Sequence, residues 1–101
     1  MLQSILRNRL DEVREVLRSN GVRSAFAFGS VCTGNFNEGS DIDILVEFPD
    51  GLDPMEYSTR WWNICFSLED RLKRRIDLLT QTSIRNPFLR DSIMATREKI
   101  L

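Results

Sequence analysis

The sequence predicts an α/β fold, a small mixed β-sheet with helices mainly on one face, and three observations carry that expectation. Short apolar runs at residues 22–28, 41–48 and 74–80 have strand character. Amphipathic helical runs occupy residues 2–18 and 53–74. The second strand run opens with two aspartates spaced i, i+2, and the first ends in Gly-Ser. A chain of 101 residues is long enough for one hydrophobic core, so residues 1–101 are expected to form a single domain.

In residues 2–18, Leu2, Ile5, Leu6, Leu10, Val13, Val16 and Leu17 recur at the spacing of one helical face, with Arg, Asp and Glu between them. Asn20-Gly21 supplies the stop. This first helix is a packing element with no chemistry of its own. The run 22–28 follows as a strand in which Phe26 and Phe28 read as core residues. At its end, Gly29 lets the backbone approach a ligand closely. Ser30 opens a short helix extending to about Phe36, whose free N–H groups and positive dipole end suit a triphosphate. Asn37-Glu38-Gly39-Ser40 is turn chemistry that returns the chain to a strand.

Side chains alternate along a strand, so Asp41 and Asp43 share one face, roughly 6–7 Å apart, while Ile42, Ile44 and Val46 take the other. Two such carboxylates repel each other unless a proton or cation lies between them. The natural filler is a hard divalent ion, because magnesium takes oxygen ligands and completes its shell with substrate phosphates. Pro49-Asp50-Gly51 ends the strand. The helix over 53–74 has Asp53 as N-cap and Pro54 in the first turn. Tyr57, Trp61, Ile64, Cys65, Leu68 and Leu72 form its core face.

Met55, Trp62 and Phe66 form a second stripe, more apolar than a solvated helix requires. It is expected either to pack under the last helix or to be an interface with a partner or a second copy. In the third strand, Asp77 interrupts a hydrophobic run, where an unpaired buried charge would be costly. If this strand neighbours 41–48, Asp77 faces Asp41 and Asp43 and the site has three carboxylates. Lys73-Arg74-Arg75 reads as a helix C-terminus meeting its dipole. Residues 84–100 are expected to form a loop and one last helix closing the covered face of the sheet.

Composition narrows the function classes. With 14 basic and 15 acidic residues the net charge is −1, which gives no electrostatic footprint for nucleic acid or an anionic membrane. No run has transmembrane length and residues 1–12 are unlike a signal peptide, so a cytoplasmic location is expected. Histidine is absent, which excludes histidine-based triads and leaves Cys32 and Cys65 without help in holding zinc. Both cysteines read as free thiols, with Cys65 buried. Neither a Walker A sequence nor Gly-x-Gly-x-x-Gly is present.

Gly29-Ser30, ten intervening residues, Asp41-x-Asp43 and a later strand aspartate, Asp77, together resemble the nucleotidyltransferase fold of the DNA polymerase beta superfamily. The length makes the chain similar to the minimal nucleotidyltransferases, which consist of the catalytic core alone and include antitoxins paired with HEPN-domain toxins. The resemblance implies a polymerase-beta-like fold and transfer of AMP from ATP to a hydroxyl of a HEPN ribonuclease, which silences it. It implies that Asp41, Asp43 and Asp77 hold two magnesium ions with ATP, that Asp77 helps deprotonate the acceptor, and that Gly29 and Ser30 contact the triphosphate. The family often carries Arg before the glycine matched by Gly34, where this chain has Thr33. That difference motivates a second reading, a binding module that neutralises its HEPN partner by contact. A third, transfer to a small molecule, would require a dimer or partner to complete the site.

Overall fold

Alternation along residues 42–47 decides how the sheet is built. Ile42, Ile44 and Val46 are fully buried, and the residues between them are only half-buried. A strand with this pattern packs one face on a core and offers the other to solvent or a ligand. The structure is a computed structural model describing residues 1–101. Its elements in chain order are α1 (Ser4–Arg7), α2 (Leu10–Ser19), β1 (Ser24–Phe28), a single 3-10 turn (Gly29–Cys32), β2 (Ile42–Glu47), α3 (Pro54–Leu72), β3 (Ile76–Thr80), α4 (Pro87–Thr96) and β4 (Glu98–Lys99).

The sheet is mixed, with strand order β3-β2-β1-β4. β1 is antiparallel to β2 and β4, while β2 and β3 are parallel and joined by α3 as the crossover helix. The helix-bearing face holds the core: Leu6, Val13 and Leu17 from the N-terminal helices, Ile64 and Leu68 from α3, and Ala25, Ala27, Ile42, Ile44 and Val46 from the sheet. The α3 limits follow local chemistry. The Asp53 carboxylate accepts a hydrogen bond from the Glu56 amide at 2.9 Å, and Pro54 occupies the first turn. No helix is long and apolar enough to cross a membrane.

Four expectations are corrected. The continuous helix over 2–18 is broken at Asn8-Arg9 into α1 and α2. The first piece docks on the 3-10 turn through the Gln3 amide donating to the Val31 carbonyl at 2.8 Å. The helix expected from Ser30 to Phe36 is one turn only. β4 was not anticipated, because two residues, Glu98 and Lys99, carry no strand pattern. Finally, α4 does not close the covered face. It lies over the 3-10 turn and β1 on the opposite face, where Ile93 lines a cavity together with Leu45, a residue that alternates away from the core.

Phe28 is buried on that second face, outside the main core. Phe26 is only half-buried, its ring covered by the Arg97 guanidinium at 4.9 Å and approached by the Lys99 ammonium at 5.9 Å. Met55, Trp62 and Phe66 pack under nothing: they are 77%, 50% and 61% exposed, with the Trp62 and Phe66 rings stacked at 5.3 Å. Both cysteines are buried and free.

Candidate active site

Register brings the carboxylates together. In the parallel β2–β3 pair, Asp43 stands directly beside Asp77, and across the antiparallel β1–β2 pair Phe28 stands beside Asp43. Asp43 and Asp77 therefore share the face opposite the core, and Asp41 immediately precedes β2. Asp77 is exposed there, so its place in an apolar run reflects strand alternation and not a buried charge seeking a partner.

The carboxylates do not converge on one point. Asp41 leans toward Arg75, with Oδ1 to Nε 4.0 Å, while Asp43 and Asp77 face each other. Burial, then the charges of Asp77 and Asp41, push the Asp43 carboxyl up from its ordinary value near 3.8 to about 6. The like charges of Asp77 and Asp41 beside Asp43 are relieved by a proton, and would equally be relieved by a cation. An all-oxygen donor set of this kind fits a hard divalent cation such as magnesium.

Gly29 is fixed by two constraints at once. Its φ of +72° lies in the left-handed region, and a side chain there would run into the Asp43 carboxylate. The Gly29 amide donates to Thr96 Oγ1 at 2.8 Å, so this group is held by α4. Ser30 opens the 3-10 turn beside it. Thr33 is folded back into its own loop: its hydroxyl donates to the Ser30 carbonyl and accepts from the Asn35 amide, both at 3.1 Å.

Two positioning residues escaped the sequence reading. Thr96 tethers Gly29, and nothing in an i to i+3 pattern marks a threonine that bonds across 67 positions. Arg74 does not serve the α3 dipole. It donates to the Asn37 carbonyl at 2.7 Å and to the Ser40 carbonyl, and stacks on Phe36 at 4.4 Å, which clamps the turn delivering Asp41. No sequence signal links Arg74 to this turn, since its partners lie 37 and 34 positions away.

Below the Asp43 row on the same face lies a cavity of about 420 Å³ lined by Leu45, Gln81, Ile84, Arg90, Ile93, Met94 and Arg97.

A mixed four-stranded sheet with a Gly-Ser turn above an Asp-x-Asp strand, and a third aspartate on the parallel neighbour, defines a nucleotidyltransferase core. Residues 10–100 match the family described as the nucleotidyltransferase domain, and the chain belongs to that family. A candidate protein adenylyltransferase of Methanocaldococcus jannaschii, MJ1379, is 36% identical over 92 residues, covering 83% of this chain and 90% of its own length. A second from the same organism, MJ0435, is 38% identical over 79 residues, covering 78% and 80%. Among solved structures, a candidate minimal nucleotidyltransferase aligns with a TM-score of 0.72 at 28% identity, covering 97% of this chain and 95% of that one. A chain of a complex between an MNT antitoxin and the tri-AMPylated HEPN toxin of Shewanella oneidensis shares the fold, with a TM-score of 0.65 at 23% identity over 94% and 71% of the two chains.

Proposed function

We propose that this nucleotidyltransferase moves AMP from ATP to a protein hydroxyl with magnesium, and that it serves as the antitoxin of a HEPN-domain toxin. The observation that carries the reading is the in-register Asp43–Asp77 pair with Asp41 at its head and Gly29-Ser30 at its side. The names of the M. jannaschii relatives and of the toxin complex support the same reaction. In it, Asp41, Asp43 and Asp77 hold the cations and Ser30 meets the triphosphate, while Gly29, its amide donated to Thr96 Oγ1, fixes the turn that presents Ser30. Magnesium, when bound, neutralises the charge developing on the transferring phosphate. Asp77 accepts the proton of the attacking hydroxyl, whose oxygen bonds to the α-phosphorus as pyrophosphate departs. The exposed stripe of Met55, Trp62 and Phe66 offers a contact surface to the partner.

The test is incubation of the purified chain and its HEPN partner with magnesium and ATP labelled at the α-phosphate. Label on the partner that falls at least roughly a thousandfold with Asp41→Asn plus Asp43→Asn supports the reading. A second reading, neutralisation by contact, draws on the same exposed stripe and on Thr33 being tied into its own loop. Neutralisation that survives the aspartate changes and disappears with Trp62→Arg selects it.

A further inference from the structure

Gln3, the residue before α1, holds two carbonyls of the loop that begins with Gly29-Ser30. Its amide donates to the Val31 carbonyl at 2.8 Å, and its side-chain Nε2 donates to the Thr33 carbonyl, a bond across 30 positions of sequence. Val31 and Cys32 are buried in the same core cluster as Leu6 of α1, so this grip comes from the helix-bearing side of the sheet. The carboxylates lie on the other face.

A trans peptide directs its carbonyl and the amide that follows in opposite directions, and the chain has no cis peptide bond. With the Thr33 carbonyl turned to Gln3, the Gly34 N–H therefore points away from α1. That N–H has no acceptor in the structure, and a side chain placed on Gly34 would meet nothing within 4 Å. An unpaired donor faces open space. Its neighbours in the loop are already engaged: the Gly29 amide with Thr96 Oγ1, and the Thr33 amide and hydroxyl with the Ser30 carbonyl. The Ser30 hydroxyl, like the Gly34 amide, is free of hydrogen bonds within the chain.

We propose that Gln3 is a positioning residue of the nucleotide site: by holding the Thr33 carbonyl it presents the Gly34 amide, as a second donor with the Ser30 hydroxyl, to the β- and γ-phosphates. The α-phosphate, where the bond is exchanged, belongs at the carboxylates, which leaves the outer two phosphates to the loop. Thr33 brings no guanidinium to this loop, so a backbone N–H supplies what a charged side chain would otherwise give. Gly34 touches the ligand and Gln3 acts through it. The inference rests on the nucleotidyltransferase reading above.

Two substitutions separate the parts. Gln3→Met keeps the side chain's length and the backbone contact with Val31, and removes the donor to Thr33. Gly34→Pro removes the N–H itself at a position with open space, and Thr33 already has the extended backbone, φ −129° and ψ 177°, that precedes proline. Gly34→Ala, which keeps the amide, is the control. Binding of a non-hydrolysable ATP analogue and of AMP, each with magnesium, is measured by titration calorimetry. Each of the first two variants is expected to weaken the ATP analogue about tenfold, the scale of one hydrogen bond to a charged group. AMP affinity in every variant, and ATP analogue affinity in Gly34→Ala, should stay within about twofold, and the Gln3→Met, Gly34→Pro double variant should bind no worse than Gly34→Pro alone. Unchanged ATP analogue binding in either single variant, an equal loss for AMP, or losses that multiply in the double variant overturn the positioning role and leave the transferase reading standing. Should Gln3→Met fail to fold, Gly34→Pro against Gly34→Ala decides. Failure of the unaltered chain to bind the ATP analogue with magnesium overturns the nucleotide site, and the role of Gln3 with it.

Discussion

Asp43 is the carboxylate whose ionisation the folded state opposes, through burial and through Asp77 and Asp41. Folded, it holds its proton up to about pH 6; unfolded, it ionises near 3.8. The group therefore favours the folded state fully below about pH 4, and this contribution is lost as pH rises through 6. With the site half exposed, solvent screening leaves this on the order of 1 kcal/mol. Asp43→Asn should accordingly raise the Tm of the metal-free protein by roughly 4–8 °C at pH 7.5 and leave it unchanged at pH 4, read by calorimetry. An equal Tm for both proteins at pH 7.5 contradicts this account. Burial likewise raises the Cys32 and Cys65 thiols to about 11, so neither should alkylate in the native protein at pH 8. Gly29→Ala meets both the positive φ and the Asp43 carboxylate, and should cost about 1–3 kcal/mol in urea denaturation. At this scale the three aspartates were legible because residue type and alternation are local properties. Thr96 and Arg74 were not, because each bonds to a backbone group far away in sequence.

Among the elements, α3 was legible nearly to its ends: an aspartate cap, a first-turn proline and a regular apolar face all lie within one segment. Its end holds one exception. Lys73 adopts the left-handed conformation, φ 55°, where glycine is the residue without a steric penalty. Lys73→Gly should stabilise the fold by about 0.5–1 kcal/mol, measured as a higher urea midpoint at unchanged m-value. The exposed Lys73–Asp70 pair that it removes, 3.4 Å, contributes little. The placement of α4 was illegible for a physical reason: Phe88, Leu89, Ile93 and Met94 spread apolar surface around the helix, so no single face points to one side of the sheet. β3 is an edge strand, and Trp61 covers part of that edge by donating its indole N–H to the Leu78 carbonyl at 3.2 Å.

For the molecule as a whole, magnesium with ATP should stabilise the fold by mass action, about 2.7 kcal/mol at a hundredfold excess over Kd. A thermal melt that millimolar magnesium-ATP leaves unmoved counts against the nucleotide site, and Asp41→Asn with Asp43→Asn should remove the shift. The mixed sheet followed from the order of apolar runs, whereas the fourth strand and the division of helices between two faces depend on tertiary contacts alone. The neighbourhood of Asp43 and Asp77 depends in turn on how many residues lie between α3 and β3: Lys73, Arg74 and Arg75 are three. Because strand faces alternate residue by residue, one inserted glycine after Arg75 would either turn Asp77 into the core and Leu78 out of it, or force the strand to slip. Point substitutions at these three positions can be absorbed one contact at a time. A change in their number cannot, so the chemistry is encoded in a length as well as in side chains, and the connection should tolerate exchange far better than insertion or deletion.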